Sequence, residues 1–138
     1  MKRTAWILAA VLAAVTARAA DVNWTHDYEA ALKKAKTDKK LVMIDIYTDW
    51  CGYCKKLDKE VYTDKAVQEK LAKNFICVKL NPERTNSAKK LMKEFGVKGF
   101  PYIAFLDADG KKLQEIGGYT PAKNFVKVID SVIAKSGQ

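Results

Sequence analysis

Two cysteines separated by two residues, Cys51-Gly52-Tyr53-Cys54, are the side chains of this 138-residue chain best suited to chemistry. The segment before them is a nearly continuous apolar run and the segment after them turns helical, so they fall where a buried strand gives way to a helix. A helix N-terminus presents unpaired N–H groups and the positive end of a dipole, and both stabilise a thiolate. Cys51 is therefore the expected nucleophile, exposed at the helix start with a lowered pKa. Cys54, one turn further in and more buried, is near enough to close a disulfide with it. The pair suits thiol–disulfide exchange: Cys51 attacks a partner's disulfide, a mixed disulfide forms, and Cys54 resolves it. A zinc site built on the same spacing would ordinarily need a second Cys/His pair, and only Cys77 and the single His26 remain.

A second residue stands out by its setting. Asp45 lies inside Leu41-Val42-Met43-Ile44-Asp45-Ile46-Tyr47-Thr48. An ionised, unpaired carboxylate costs several kcal/mol in such a strand, so Asp45 is expected to be partly protonated with a raised pKa. Cys77, centred in Phe75-Ile76-Cys77-Val78-Lys79-Leu80, reads as a small buried hydrophobe. His26 reads as a surface residue at a helix start.

The elements that must position these residues follow from hydrophobic periodicity. Residues 25–37 read as a helix, with Tyr28, Ala31, Leu32 and Ala35 on one face. Residues 41–48 read as a strand covered on both faces. A helix runs from Cys51 to about Tyr62, and Thr63 or Asp64 caps another carrying Val67 and Leu71. Residues 75–80 form a second buried strand, and a helix from Ser87 to Phe95 stops at Gly96. Tyr102-Ile103-Ala104-Phe105-Leu106, the turn Asp107-Ala108-Asp109-Gly110 and residues 111–116 make a hairpin. After Gly117-Gly118, Thr120 as N-cap and Pro121 as first helical residue open a last helix, which buries Phe125, Val128, Ile129, Val132 and Ile133. The expected fold is α/β, a mixed central sheet with helices on both faces. Its first two strands are parallel, because a helical crossover joins them.

Composition bounds the setting. Lys2 and Arg3, the apolar run 5–15 and the small residues Ala17-Arg18-Ala19 make the three parts of a secretory signal peptide. The apolar run is well short of the ~20 residues that span a bilayer. Residues 1–20 are therefore expected to be a cleaved leader and residues 21–138 one domain, exported to the periplasm or another extracytoplasmic space and not inserted in a membrane. With Lys2, Arg3 and Arg18 removed, 22 basic residues face 16 acidic ones, a net charge of +6. The lysines are interleaved with acids and lack aromatic partners, so nucleic acid is not the expected partner; acidic protein surfaces are compatible with this charge. Three cysteines in an oxidising compartment leave one over after the pair.

The run from Leu41 through Asp49-Trp50-Cys51-Gly52-Tyr53-Cys54-Lys55-Lys56 strongly resembles the active-site segment of thioredoxins, and Val97-Lys98-Gly99-Phe100-Pro101-Tyr102 resembles their cis-proline loop. Gly117-Gly118 before the last helix also fits, so the resemblance spans roughly residues 24–135. It is nearest to small exported thioredoxin-like proteins, including the C-terminal thiol domain of the membrane electron transporter DsbD. The Gly-Tyr dipeptide between the cysteines departs from the Gly-Pro of thioredoxin and resembles the isomerase DsbC.

The resemblance implies a thioredoxin fold. It implies that Asp45 takes the Cys54 proton, that Lys79 pairs with Asp45, and that Pro101 is cis. It also implies that Pro101 holds Phe100 extended beside Cys51 to meet a substrate strand, with Trp50, Gly52 and Tyr53 lining the rim. The activity it implies is that of a monomeric thiol–disulfide oxidoreductase without a bound cofactor or metal, acting on disulfide-bearing proteins. Reduction is the expected direction, since Asp-Trp-Cys-x-x-Cys-Lys resembles the reductive branch and no dimerisation domain accompanies it. A reductase there needs electrons, hence a membrane thiol donor as partner. The alternative is a metal-handling or cofactor-assembly chaperone that uses the same cysteines.

Overall fold

The computed structural model describes residues 21–138; the leader expected at residues 1–20 lies outside the described residues. Its elements in chain order are β1 (Trp24–Thr25), α1 (Tyr28–Asp38), β2 (Leu41–Ile46), α2 (Gly52–Glu60), α3 (Lys65–Asn74), β3 (Phe75–Leu80), α4 (Asn86–Phe95), β4 (Tyr102–Leu106), β5 (Lys112–Gly117) and α5 (Ala122–Ser136). The five strands form one sheet in the order β1-β3-β2-β4-β5. β1, β3 and β2 run parallel, whereas β4 is antiparallel to β2 and to β5. This is the mixed sheet expected from the alternation of element types.

The side-chain period of two divides the strands between two cores. Met43, Cys77, Ile103 and Phe105 face a layer made by Leu57 and Val61 at α2, Val67 and Leu71 of α3, and Phe125, Ile129 and Val132 of α5. Val42, Ile44, Ile46, Val78, Ala104 and Leu106 face the other layer, made by Ala31 and Ala35 of α1 and Ala88 and Leu91 of α4. Both faces of β2 are therefore covered, which is why its sequence is apolar at every position but Asp45. By the same alternation Asp45 and Lys79 point toward the α2 face.

Local chemistry sets most of the boundaries. Asp27, Asp64 and Thr85 accept hydrogen bonds from the N–H groups of Ala30, Val67 and Ala88 and so start α1, α3 and α4. Gly96, at φ +65°, ends α4 in the left-handed region. Gly110, at φ +87°, closes the β4–β5 turn so tightly that an added Cβ would lie 3.0 Å from the Tyr28 hydroxyl.

Two details differ from the sequence reading. Residues 24–25 form the edge strand β1 and α1 begins only at Tyr28, because Trp24 and Thr25 pair with Cys77 and Val78. Thr120 does not cap α5; Pro121 is extended at ψ 153° and itself occupies the N-cap position, so the helix starts one residue later.

Candidate active site

β2 ends at Ile46, flanked by Leu80 at the end of β3 and Tyr102 at the start of β4. The turn after β2 delivers Cys51 to the start of α2. Cys51 is the N-cap residue of that helix, and its Sγ accepts the Cys54 N–H at 3.1 Å. The sulfur thus takes the place of the usual oxygen at a helix start, in the field expected to favour a thiolate. Cys51 and Cys54 are joined as a disulfide, with Cα atoms 5.3 Å apart. Cys51 is not the exposed residue the sequence suggests. It is 6% exposed against 2% for Cys54, and aromatic rings flank it on two sides.

Those rings make two walls. Trp50 is 67% exposed, yet it is held in place: its indole N–H donates to Glu83 at 2.7 Å, and its ring meets Phe100 edge-on at 5.8 Å. On the other side Tyr53, 62% exposed, stacks on Tyr119 at 6.2 Å. The Tyr119 hydroxyl donates to Glu60 at 2.7 Å, and the Lys56 ammonium lies 4.5 Å from the Tyr119 ring centre. Gly52 lies between the walls, and an added Cβ there would meet nothing within 4 Å, so no packing demands glycine at that position. The Phe100-Pro101 peptide bond is cis. Pro101 is buried beside the disulfide end of the sheet, and its carbonyl accepts the Gly118 N–H at 2.8 Å.

Beneath the disulfide lies a buried ionic group. Asp45 is fully buried, one of its oxygens accepts from the Tyr62 hydroxyl at 3.0 Å, and the other has no partner. Burial pushes its pKa up to about 6; the Lys79 ammonium and the Tyr62 hydroxyl pull the other way without overcoming it. Lys79 stands directly opposite Asp45 in the β2–β3 register, its Nζ 3.9 Å from the carboxylate. It also pairs with Asp58 of α2. Its side chain is only 12% exposed, because the rings of Trp24, Tyr47 and Tyr62 surround the ammonium at 4.9–5.7 Å. A solvated lysine at a strand end is thereby ruled out.

Asp45, Lys79, Cys51 and Cys54 thus come together at one end of the sheet, with Trp50, Tyr53, Phe100 and Pro101 around them. His26, just before α1, places its Nδ1 2.9 Å from the Lys79 carbonyl oxygen. Cys77 is buried on β3, and desolvation raises its pKa to about 12, so it stays an inert thiol. Sequence reasoning missed Asp58, Tyr62, Glu83 and Tyr119. Asp58 sits one helical turn after Cys54 and was within reach of the i,i+4 rule. The other three reach the site from distant segments and carry no local signal. Among the described residues, no three His, Cys, Asp or Glu side chains gather as a metal-binding group.

A family model of the thioredoxin-like domain matches residues 28–133. The chain is 38% identical over 105 residues to the thiol:disulfide interchange protein DsbD of Actinobacillus pleuropneumoniae, a match that covers 72% of this chain and 18% of the relative. It therefore spans less than a fifth of that protein's length. Among solved structures, a thioredoxin from Thermus thermophilus superposes with a TM-score of 0.76 at 24% identity, covering 86% of this chain and 92% of the other. The oxidised C-terminal domain of DsbD from Neisseria meningitidis superposes with a TM-score of 0.66 at 22% identity, covering 79% and 98%. At these identities the two superpositions speak for the fold alone.

Proposed function

The chain belongs to the thioredoxin-like family, and from that membership we propose that it is an exported thiol–disulfide oxidoreductase that reduces disulfides in other proteins. The observation that carries the reading is the Cys51–Cys54 disulfide at the N-terminus of α2, set above a buried carboxyl and between two aromatic walls. The reductive direction is drawn from the resemblance of Asp49-Trp50-Cys51-Gly52-Tyr53-Cys54-Lys55 to the reductive branch, and the extracytoplasmic setting from the leader expected at residues 1–20.

In the reduced protein the Cys51 thiolate attacks one sulfur of a substrate disulfide. That S–S bond breaks, one substrate thiolate leaves, and a mixed disulfide joins Cys51 to the substrate. Asp45, with a pKa of about 6, is mostly ionised at neutral pH and takes the proton from the Cys54 thiol. The Cys54 thiolate attacks Cys51 Sγ, and the second substrate thiolate leaves. Two electrons have passed to the substrate, and Cys51–Cys54 is oxidised. Lys79 is a positioning residue that holds the Asp45 carboxylate opposite its own strand position. Trp50, Tyr53 and Phe100 receive the substrate chain, and Pro101 holds Phe100 in place for that contact. A membrane thiol transporter restores the dithiol.

Cys54→Ser tests the division of labour. Without the resolving thiol, mixed disulfides at Cys51 accumulate as higher-mass adducts on non-reducing gels and collapse with reductant. Equal trapping by Cys51→Ser would reverse the assignment. The direction is read from the reduction potential of the pair: a value near about −270 mV fits a reductant, and one near about −120 mV an oxidant.

A further inference from the structure

The segment that carries α4 starts and ends at the disulfide end of the sheet: it leaves β3 after Leu80 and enters β4 at Tyr102, and these two residues flank Ile46 of β2. At its start Glu83 holds Trp50, and Arg84 pairs with Asp49. At its end the chain runs through Lys98 to Phe100, which packs on Trp50. The loops on either side of α4 therefore brace the Trp50–Phe100 wall.

The outward stripe of α4 is basic. Ala88 and Leu91 point into the core, and Lys89, Lys90 and Lys93 are exposed on the opposite side. Its one acid, Glu94, is exposed near the C-terminal end of the helix, so three lysines face a single carboxylate there. Lys98, in the loop between α4 and Phe100, and Lys55, in the first turns of α2, are exposed as well. Of the carboxylates near the disulfide rim, Asp49 is charge-paired by Arg84 and Asp58 by Lys79, while Glu60 and Glu83 accept from the neutral Tyr119 hydroxyl and Trp50 indole. Among the described residues Lys89, Lys90, Lys93 and Lys98 have no carboxylate partner.

We infer that α4 is an electrostatic docking rail for protein substrates that carry an acidic segment beside the disulfide to be reduced. The inference rests on the oxidoreductase reading above. Complementary charge next to a reactive site raises the rate of encounter by roughly 10- to 1,000-fold at low ionic strength, and salt abolishes the gain.

The test uses pre-reduced protein and a peptide closed by one internal disulfide, extended by about six glutamates, long enough to lie along the roughly 15 Å of α4. The same peptide extended by glutamines is the neutral probe. Stopped-flow second-order rates are measured at about 10 mM and 1 M salt. The acidic probe reacts at least about tenfold faster than the neutral one at low salt, and the two converge at high salt.

Lys89→Glu/Lys90→Glu/Lys93→Glu removes the preference. Lys65→Glu/Lys73→Glu/Lys127→Glu, with the same change in net charge on the other face, largely keeps it. Equal loss in both variants would assign the effect to overall charge, and equal rates for the two probes would remove the rail altogether; either result overturns the inference. If neither probe is reduced at any salt concentration, the oxidoreductase reading itself fails.

Discussion

Asp45 is the residue whose protonation ties stability to function. Its folded pKa of about 6 lies above the ordinary 3.8, so the folded chain keeps a proton that the unfolded chain releases between about pH 4 and pH 6. Stability contributed by this group falls as pH rises through that window, and above it the deficit is complete, on the order of 3 kcal/mol. Asp45→Asn removes the deficit and is expected to stabilise the protein by about 1–3 kcal/mol at pH 8, with no difference below pH 4, as read by urea unfolding at both pH values. The same substitution removes the proton acceptor and should slow resolution of the mixed disulfide by about 100-fold near neutral pH. A variant that is less stable and equally fast would make Asp45 a structural residue.

At the scale of elements, α2 and α3 start in different ways. α3 begins on an oxygen cap, Asp64 accepting the Val67 N–H at 3.1 Å, and has no part in the exchange site. Asp64→Ala is expected to cost about 1 kcal/mol in a denaturant titration and to leave the exchange rate with a small disulfide unchanged. α2 begins on Cys51, so the sulfur that reacts is also the sulfur that caps. That sulfur keeps the Cys54 N–H while bonded to the Cys54 sulfur, so the cap and a disulfide at Cys51 are compatible. Glu83 and Tyr119 lie outside α2 in sequence, yet they fix Trp50 and Tyr53 on either side of its first turn.

For the whole molecule, the site depends on a sheet that is covered on both sides. Phe105 of β4 is fully buried and meets Phe75 at 5.7 Å and Phe125 at 6.0 Å, linking β3, β4 and α5. Phe105→Ala is expected to destabilise the protein by about 3–5 kcal/mol, a large share of a stability typically of about 5–15 kcal/mol. The measurement is thermal or denaturant unfolding. Because Phe105 faces the same layer as Cys77, the cavity should also open that thiol to alkylation, whereas in the parent protein burial holds its pKa at about 12.

The sequence by itself determined what is local. The nearly continuous apolar runs 41–48 and 75–80 meant buried strands, and the chain folds that way because backbone period and side-chain type are read within a few residues. The position of Cys51 at a strand-to-helix junction and the hairpin around Gly110 were legible for the same reason. So was the buried setting of Asp45, since a carboxylate stands out in an apolar run. Tertiary structure decided what depends on register and on contacts between distant segments. Lys79 faces Asp45 only because β3 aligns with β2 at that offset, and Trp24, Tyr47 and Tyr62 surround it from three separate parts of the chain. β1 exists only through its pairing with β3, two residues being too few for any pattern of their own. Cys51 is recessed at the start of α2, where rings from three segments (50–53, Phe100 and Tyr119) form the two walls, an outcome of packing that no spacing within Cys-Gly-Tyr-Cys encodes.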